Sequence, residues 1–165
     1  MNIDLEQPST RRAEEFLDAV RRSRALHRNL VTPPGTLENY RRYLTHSRRK
    51  DQEHFFVIVQ QTGALAGVIN IGTITRGYFQ SAPLGYYAFV PAAGRGFMRA
   101  GLRAVISHAF RYLKLHRLEA NIQPSNKRSI ELVRRLGFRL EGLSPRYLKI
   151  CGRWRDHERW ALLAS

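Results

Sequence analysis

Cysteine is almost missing from this 165-residue chain: Cys151 stands alone. That excludes an intrachain disulfide and fits a reducing compartment, so a cytoplasmic location is expected. No apolar run approaches the ~18 residues a membrane span requires, and no membrane partner is expected. Asp4 and Glu6 interrupt the N-terminus, which has no apolar core and does not read as a signal peptide. None of the six histidines forms a His-x-x-x-His pair or joins a cysteine cluster, so no metal is expected. Repeats, low-complexity tracts and linkers are missing too. The reading is a single domain over residues 1–165, large enough to bury roughly 70% of its unfolded surface.

Acidic residues are scarce, 13 against 28 Lys and Arg, which leaves a formal net charge of +15. Such a balance favours polyanions (nucleic acid, ribosomes or phosphorylated cofactors) and says nothing about fold. It does not by itself make a nucleic-acid-binding module, because the arginines are spread along the chain and no RNA-binding motif with paired aromatics is present.

In order, Ile3 to Gln7 reads as a short strand, and Ser9 or Thr10 as the cap of a helix with Phe16, Leu17 and Val20 inward. Pro33-Pro34 stop any helix before a second begins at Thr36. FFVIVQ and ALAGVINIGTI form a hairpin about Gln61-Thr62-Gly63, and Arg76 to Pro83 reads as a loop. Tyr86, Tyr87, Phe89 and Val90 then form a strand that ends at Pro91. Gly94-Arg95-Gly96 turns the chain, and a helical period runs through Met98, Leu102, Val105, Ile106, Ala109 and Leu113. Beyond it come a strand at Arg117–Gln123, a helix with Ile130, Val133 and Leu136 inward, a stop at Gly137, a strand from Phe138, and a hairpin of Tyr147–Ile150 with His157–Leu163. Asp156-His157-Glu158 reads as an alternating exposed strand. The fold class is α/β, a mixed sheet with antiparallel N-terminal strands, a central parallel pair and flanking helices. Parallel strands that diverge, each followed by a helix N-terminus, leave a crevice for a ligand.

The turn at Gly94–Gly96 gathers unpaired N–H groups at the positive end of a helix dipole, a place suited to phosphate oxygens. Arg95, Arg99 and Arg103 extend positive charge down that helix. A dinucleotide fingerprint fails at Arg99, and a P-loop fails at Leu102-Arg103. An ordinary strand-to-helix connection with surface arginines is the alternative.

Val90-x-x-x-Gly94-Arg95-Gly96-Phe97-Met98 resembles the acetyl-CoA pyrophosphate loop of the GNAT acetyltransferases. Asn126-Lys127-Arg128-Ser129, Leu136-Gly137-Phe138 and Glu141-Gly142 are similar to the second signature of that superfamily, in its RimJ/RimL ribosomal-protein alanine N-acetyltransferase form. Arg76-Gly77, Leu84-Gly85-Tyr86, His116-Arg117, Tyr147-Leu148 and Gly152–His157 extend the likeness, which covers about Gly67 to the C-terminus and is closer to RimJ. It implies a GNAT-type fold and acetyl-CoA held by Phe89, Val90, Gly94, Arg95, Gly96, Phe97 and Met98. It also implies Asn126 on the pantetheine arm or an ordered water, and Ser129 assisting the departing sulfur. The chain departs at Ala100, where the family usually has glutamate, and at Val133, where many GNAT enzymes place a tyrosine acid.

Glu119 is a candidate proton relay, with pairing to an arginine as its other reading. Tyr86 and Tyr87 alternate, so only one faces the acceptor. The resemblance implies that His27 to Pro33 line the acceptor groove, as the corresponding helix–helix loop does in the family. An α-amine has a pKa of about 7.7–8.0 and a lysine about 10.4, a gap of roughly 3.5 kcal/mol. A site with no strong base therefore suits a protein N-terminus better than lysine. The expected activity is acetyl transfer from acetyl-CoA to a protein α-amine, such as that of a ribosomal protein, by direct attack in a ternary complex. The alternatives are a basic nucleic-acid or ribosome-binding module, which is also compatible with an enzyme, and an acetyltransferase for a polyamine or aminoglycoside. A monomer and a homodimer both remain open.

Overall fold

Two apolar periods, two residues in the strands and 3.6 in the helices, fold this chain into one twisted sheet with helices on both faces. The computed structural model describes residues 1–165. The strands are β1 (Ile3–Glu6), β2 (Glu53–Val59), β3 (Leu65–Ile71), β4 (Ser81–Ala88), β5 (Arg117–Ile122), β6 (Arg139–Ile150) and β7 (Arg153–Leu163). They lie in the order β1-β2-β3-β4-β5-β7-β6. Only β4 and β5 run parallel; every other neighbouring pair is antiparallel.

The helices are α1 (Ala13–Arg22), the single turn α2 (Arg24–His27), α3 (Leu37–Ser47), α4 (Phe97–Arg111) and α5 (Lys127–Arg135). One face of the sheet meets α4 and α5 in a core that includes Ile69, Leu102, Val105, Leu118 and Val133. The other meets α1 and α3 through Phe16, Tyr40, Phe56, Val68 and Phe89. Strand β3 is covered on both sides, so it reads as a nearly unbroken apolar run.

Two glycines let α4 lie close to the sheet. A Cβ on Gly101 would stand 2.7 Å from Val57 Cγ2 and 3.1 Å from Ile69 Cδ1. A Cβ on Gly67 of β3 would stand 2.6 Å from the Tyr87 carbonyl oxygen and would run into Met98 Sδ.

Several local expectations change. Ser9 makes no side-chain cap; a 3-10 turn at Thr10–Arg12 leads into α1. Thr36 does cap α3, its Oγ1 accepting the Asn39 N–H at 3.2 Å. The segment read as a loop up to Pro83 is already β4 from Ser81, because Pro83 needs no N–H there while its carbonyl accepts the Gly72 N–H at 2.9 Å. The C-terminal hairpin is longer than its sequence suggests, closed by Cys151-Gly152 with φ of 49° and 77°. His157 is buried rather than exposed, its Nδ1 2.9 Å from the Arg155 carbonyl.

Candidate active site

Strand β4 loses one neighbour half-way along. It pairs with β5 only over Ser81↔Arg117, Ala82↔Leu118 and Pro83↔Glu119, while its pairing with β3 runs from Leu84 to Ala88. Beyond Pro83 the parallel strands part. The Phe89 N–H bonds the Ala66 carbonyl at 2.8 Å, and the Pro83 carbonyl takes Gly72. Ladder alternation between those two anchors turns the Tyr86 and Ala88 amides toward the gap.

At one end of the gap stands the turn into α4. Gly94 and Gly96 have φ of 78° and 89°, a left-handed region where a side chain is strained. The backbone N–H groups of Gly94, Gly96, Phe97, Met98 and Arg99 make no hydrogen bond within the chain. Arg95 and Arg99 are exposed, and the ion pairs of the molecule lie elsewhere. The Arg95 guanidinium sits 5.7 Å from the centroid of the Phe97 ring. Free amides, a helix dipole and unpaired guanidinium groups make a site that fits a diphosphate. Val90 anchors the preceding turn, its N–H donating to the buried Ser23 Oγ at 3.0 Å. The side chain of Phe89 is fully buried in the core beneath.

On the far side of the gap α5 begins. Asn126 Oδ1 accepts the Ser129 N–H at 3.2 Å, which is a helix cap. Ser129 Oγ lies 2.6 Å from Tyr86 Oη, so a hydroxyl from β4 meets one from α5. Burial pushes the Tyr86 phenol up to about 12, against the opposing pull of Ser129, so it stays protonated at neutral pH. Val133 is fully buried in the core on the α4–α5 side of the sheet.

Tyr86 and Tyr87 part to opposite faces. Tyr87 turns to the α1–α3 side, its ring 5.6 Å from Phe89 and 5.4 Å from His27, and burial pushes its phenol up. His27 is buried as well. Its Nε2 donates to the Ala88 carbonyl at 2.7 Å, its Nδ1 has no partner, and burial pulls its pKa down, so the ring is neutral. Ser23 and His27 together pin the end of β4. The sequence carries no signal for either contact, because each joins a helix to a backbone atom more than 60 residues away.

Glu119 lies between Arg117 Nε at 2.7 Å and Arg159 Nη2 at 3.0 Å. Burial alone would raise its pKa, but the two guanidinium groups outweigh that and hold it below the usual carboxylate range. Arg117 also binds Glu141. Cys151 is exposed in the hairpin turn, 3.4 Å from Thr32 Oγ1. No group of three or more His, Cys, Asp or Glu is placed to hold a metal ion.

A parallel pair that splays beside a free-amide turn is the geometry of one acetyltransferase architecture, and residues 2–139 match the model of the acetyltransferase (GNAT) domain. The chain belongs to the GNAT acetyltransferase family. It is an N-acetyltransferase. The probable N-acetyltransferase YjcK of Bacillus subtilis is 36% identical over 132 residues, 78% of this chain and 73% of that protein. The ribosomal protein uS5-alanine N-acetyltransferase of Escherichia coli is 43% identical over 98 residues, 59% of this chain and half of that protein. Mycobacterium smegmatis RimJ, solved with a CoA-disulfide, superposes with a TM-score of 0.90 at 26% identity, over 98% of this chain and 82% of that one. The fold is also that of the Vibrio cholerae spermidine N-acetyltransferase solved with CoA and spermine, with a TM-score of 0.83 at 20% identity, over 98% and 95% of the two chains.

Proposed function

We propose that this enzyme transfers an acetyl group from acetyl-CoA to the N-terminal α-amine of a protein, by direct attack within a ternary complex. The observation that carries the reading is the character of the gap. It is lined by backbone amides and the Tyr86–Ser129 hydroxyl pair, and the candidate proton relay, Glu119, is held by two arginines.

Acetyl-CoA supplies an activated acyl thioester. The amides of Gly94, Gly96, Phe97, Met98 and Arg99 receive its diphosphate, with Arg95 and Arg99 adding charge. The Tyr86 and Ala88 amides polarise an acyl carbonyl placed in the gap. The Tyr86–Ser129 pair donates a proton to the departing sulfur, and Asn126 sets Ser129 by capping α5. His27 and Ser23 position the end of β4, and Glu119 holds the sheet through its arginines.

An amine must lose its proton before it attacks. An α-amine with a pKa of about 7.7–8.0 is partly neutral at pH 7, whereas a lysine needs roughly 3.5 kcal/mol more help. A Glu119 held by two arginines supplies no such help. A polyamine acceptor is disfavoured by the scarcity of acidic residues, 13 against 28 basic ones, since its cations want an acidic pocket. The uS5-alanine acetyltransferase among the relatives supports a protein terminus.

The test is the initial rate of CoA release with Ala- and Ser-initiated peptides, an N-blocked lysine peptide and spermidine. The free-terminus peptides are expected to be fastest. A faster rate on lysine or spermidine refutes the proposal.

A further inference from the structure

Five buried side-chain polar atoms have no hydrogen-bond partner: His27 Nδ1, His54 Nδ1, Asn121 Oδ1, Arg155 Nε and Arg159 Nε. Three of these residues share one surface. Asn121 and Arg159 are directly paired across β5 and β7. Arg155 lies four residues before Arg159 on β7, hence on the same face. This face looks away from α4 and α5, whose core takes Leu118, Ala120, Ile122 and Trp160 from the opposite side of the same strands. The helices of its own side, α1 and α3, pack over β2, β3 and the end of β4.

The loop after α2 and the β6–β7 turn border this face. The loop after α2 is tied to β5 by Gln123 Nε2, which donates to the Asn29 carbonyl at 2.9 Å. The same loop meets the β6–β7 turn at Thr32 and Cys151. Tyr87, on the same side of the sheet, stands where β4 parts from β5. Positive charge dominates this face. Arg155 has no carboxylate partner, and Arg159 gives one Nη to Glu119 and stacks its guanidinium 4.5 Å from the Tyr147 ring centroid. Glu119 is shared with Arg117, so its charge is already spent. Buried N–H donors left unmatched on two guanidinium groups are costly, and such groups favour oxygen acceptors that carry negative charge.

We propose that Arg155 and Arg159 bind a carboxylate of the acceptor within the first few residues after its N-terminal amine, so that acidic N-terminal segments are the preferred substrates. This rests on the α-amine reading above and narrows it to a class of sequence.

Three peptides that share an N-terminal alanine and carry Glu, Gln or Lys at the next positions test it, by CoA release at low and high salt. The expected order of kcat/KM is acidic, neutral, basic, with roughly tenfold between the extremes, most of it in KM and compressed by salt. Arg155→Glu is expected to invert the order, and Arg159→Gln to flatten it. The thermal shift on adding CoA reports that each variant is folded. Equal rates for the three peptides overturn the proposal and leave the α-amine reading standing, as does an unchanged order in a folded Arg155→Glu variant. If no peptide is acetylated while a lysine side chain or spermidine is, both fall together.

Discussion

One methyl group placed at Gly67 tests whether the gap owes its shape to the close approach of α4 and β4. A Cβ there would stand 2.6 Å from the Tyr87 carbonyl oxygen and 3.2 Å from Ala88 Cα, besides striking Met98 Sδ. Met98 can swing aside. The backbone of β4 cannot, because Gly67↔Ala88 and Val68↔Tyr87 are rungs of the same ladder. Ordinary non-bonded contacts of about 3.5–4.0 Å require the strands to separate by roughly 0.5–1 Å. Overpacking costs about 1–3 kcal/mol, and two backbone clashes put Gly67→Ala near the upper end. At about 2–4 °C per kcal/mol for a chain of this size, Tm should drop by roughly 6–12 °C. The strain falls on Tyr87 and Ala88, the second of which turns its amide toward the gap, so CoA affinity should fall by about tenfold as well. Gly35→Ala is the control: nothing lies within 4 Å of its Cβ position and its φ is not positive, so a gain of about 0.4–1 kcal/mol is expected. Scanning fluorimetry with and without CoA, followed by calorimetric titration, reads both effects. If Gly67→Ala melts within about 2 °C of the parent and binds CoA equally, the spacing is not set at this glycine.

Tyr86→Phe removes the partner of Ser129 and should lower kcat by roughly 10²-fold with little change in the KM for acetyl-CoA; an unchanged kcat removes the hydroxyl pair from the mechanism. Glu119→Gln leaves two guanidinium groups poorly matched and should cost about 1–3 kcal/mol in urea unfolding, with the shape of the pH–rate profile retained. A loss of the acidic limb of that profile would instead make Glu119 a base. Acid should loosen the fold through His54, whose burial and the nearby His46 charge lower its pKa to about 4. The unfolded ring takes up a proton near pH 6.5, before the folded one does. The contribution is therefore complete above about pH 6.5 and lost as pH falls toward 4, up to roughly 3 kcal/mol, with the buried His27 acting in the same direction. Urea midpoints that do not move between pH 7 and pH 5 contradict this.

The strand, turn and α4 are legible from residues 84–113 because each step is local. Branched and aromatic residues make the strand, two glycines make a left-handed turn, and the apolar period changes at once. Contacts across the gap are not local. Alternation says that Tyr86 and Tyr87 face opposite ways, but which one meets α5 is decided by the β3–β4 register that sets Tyr86 beside Ile69. The strand order at the far edge is hidden for a similar reason. The Cys151-Gly152 turn makes β6 and β7 neighbours, yet it does not say which of them lies against β5. His157 reads as exposed because its flanking residues are charged, and it is buried because β7 is an inner strand.

The scarcity of acid, by contrast, reaches into the mechanism. With 28 basic residues and 13 acidic ones, four carboxylates here stand between two guanidinium groups each. Glu6 meets Arg11 and Arg12, Asp18 meets Arg21 and Arg22, Glu131 meets Arg134 and Arg135, and Glu119 meets Arg117 and Arg159. In Glu6, Glu119 and Glu131 the flanking guanidinium groups hold the pKa down and occupy the lone pairs, which makes each a poor base. On the proposed α-amine reading, such carboxylates leave the enzyme to an amine that sheds its proton readily, and the composition that makes the surface basic also narrows the acceptor.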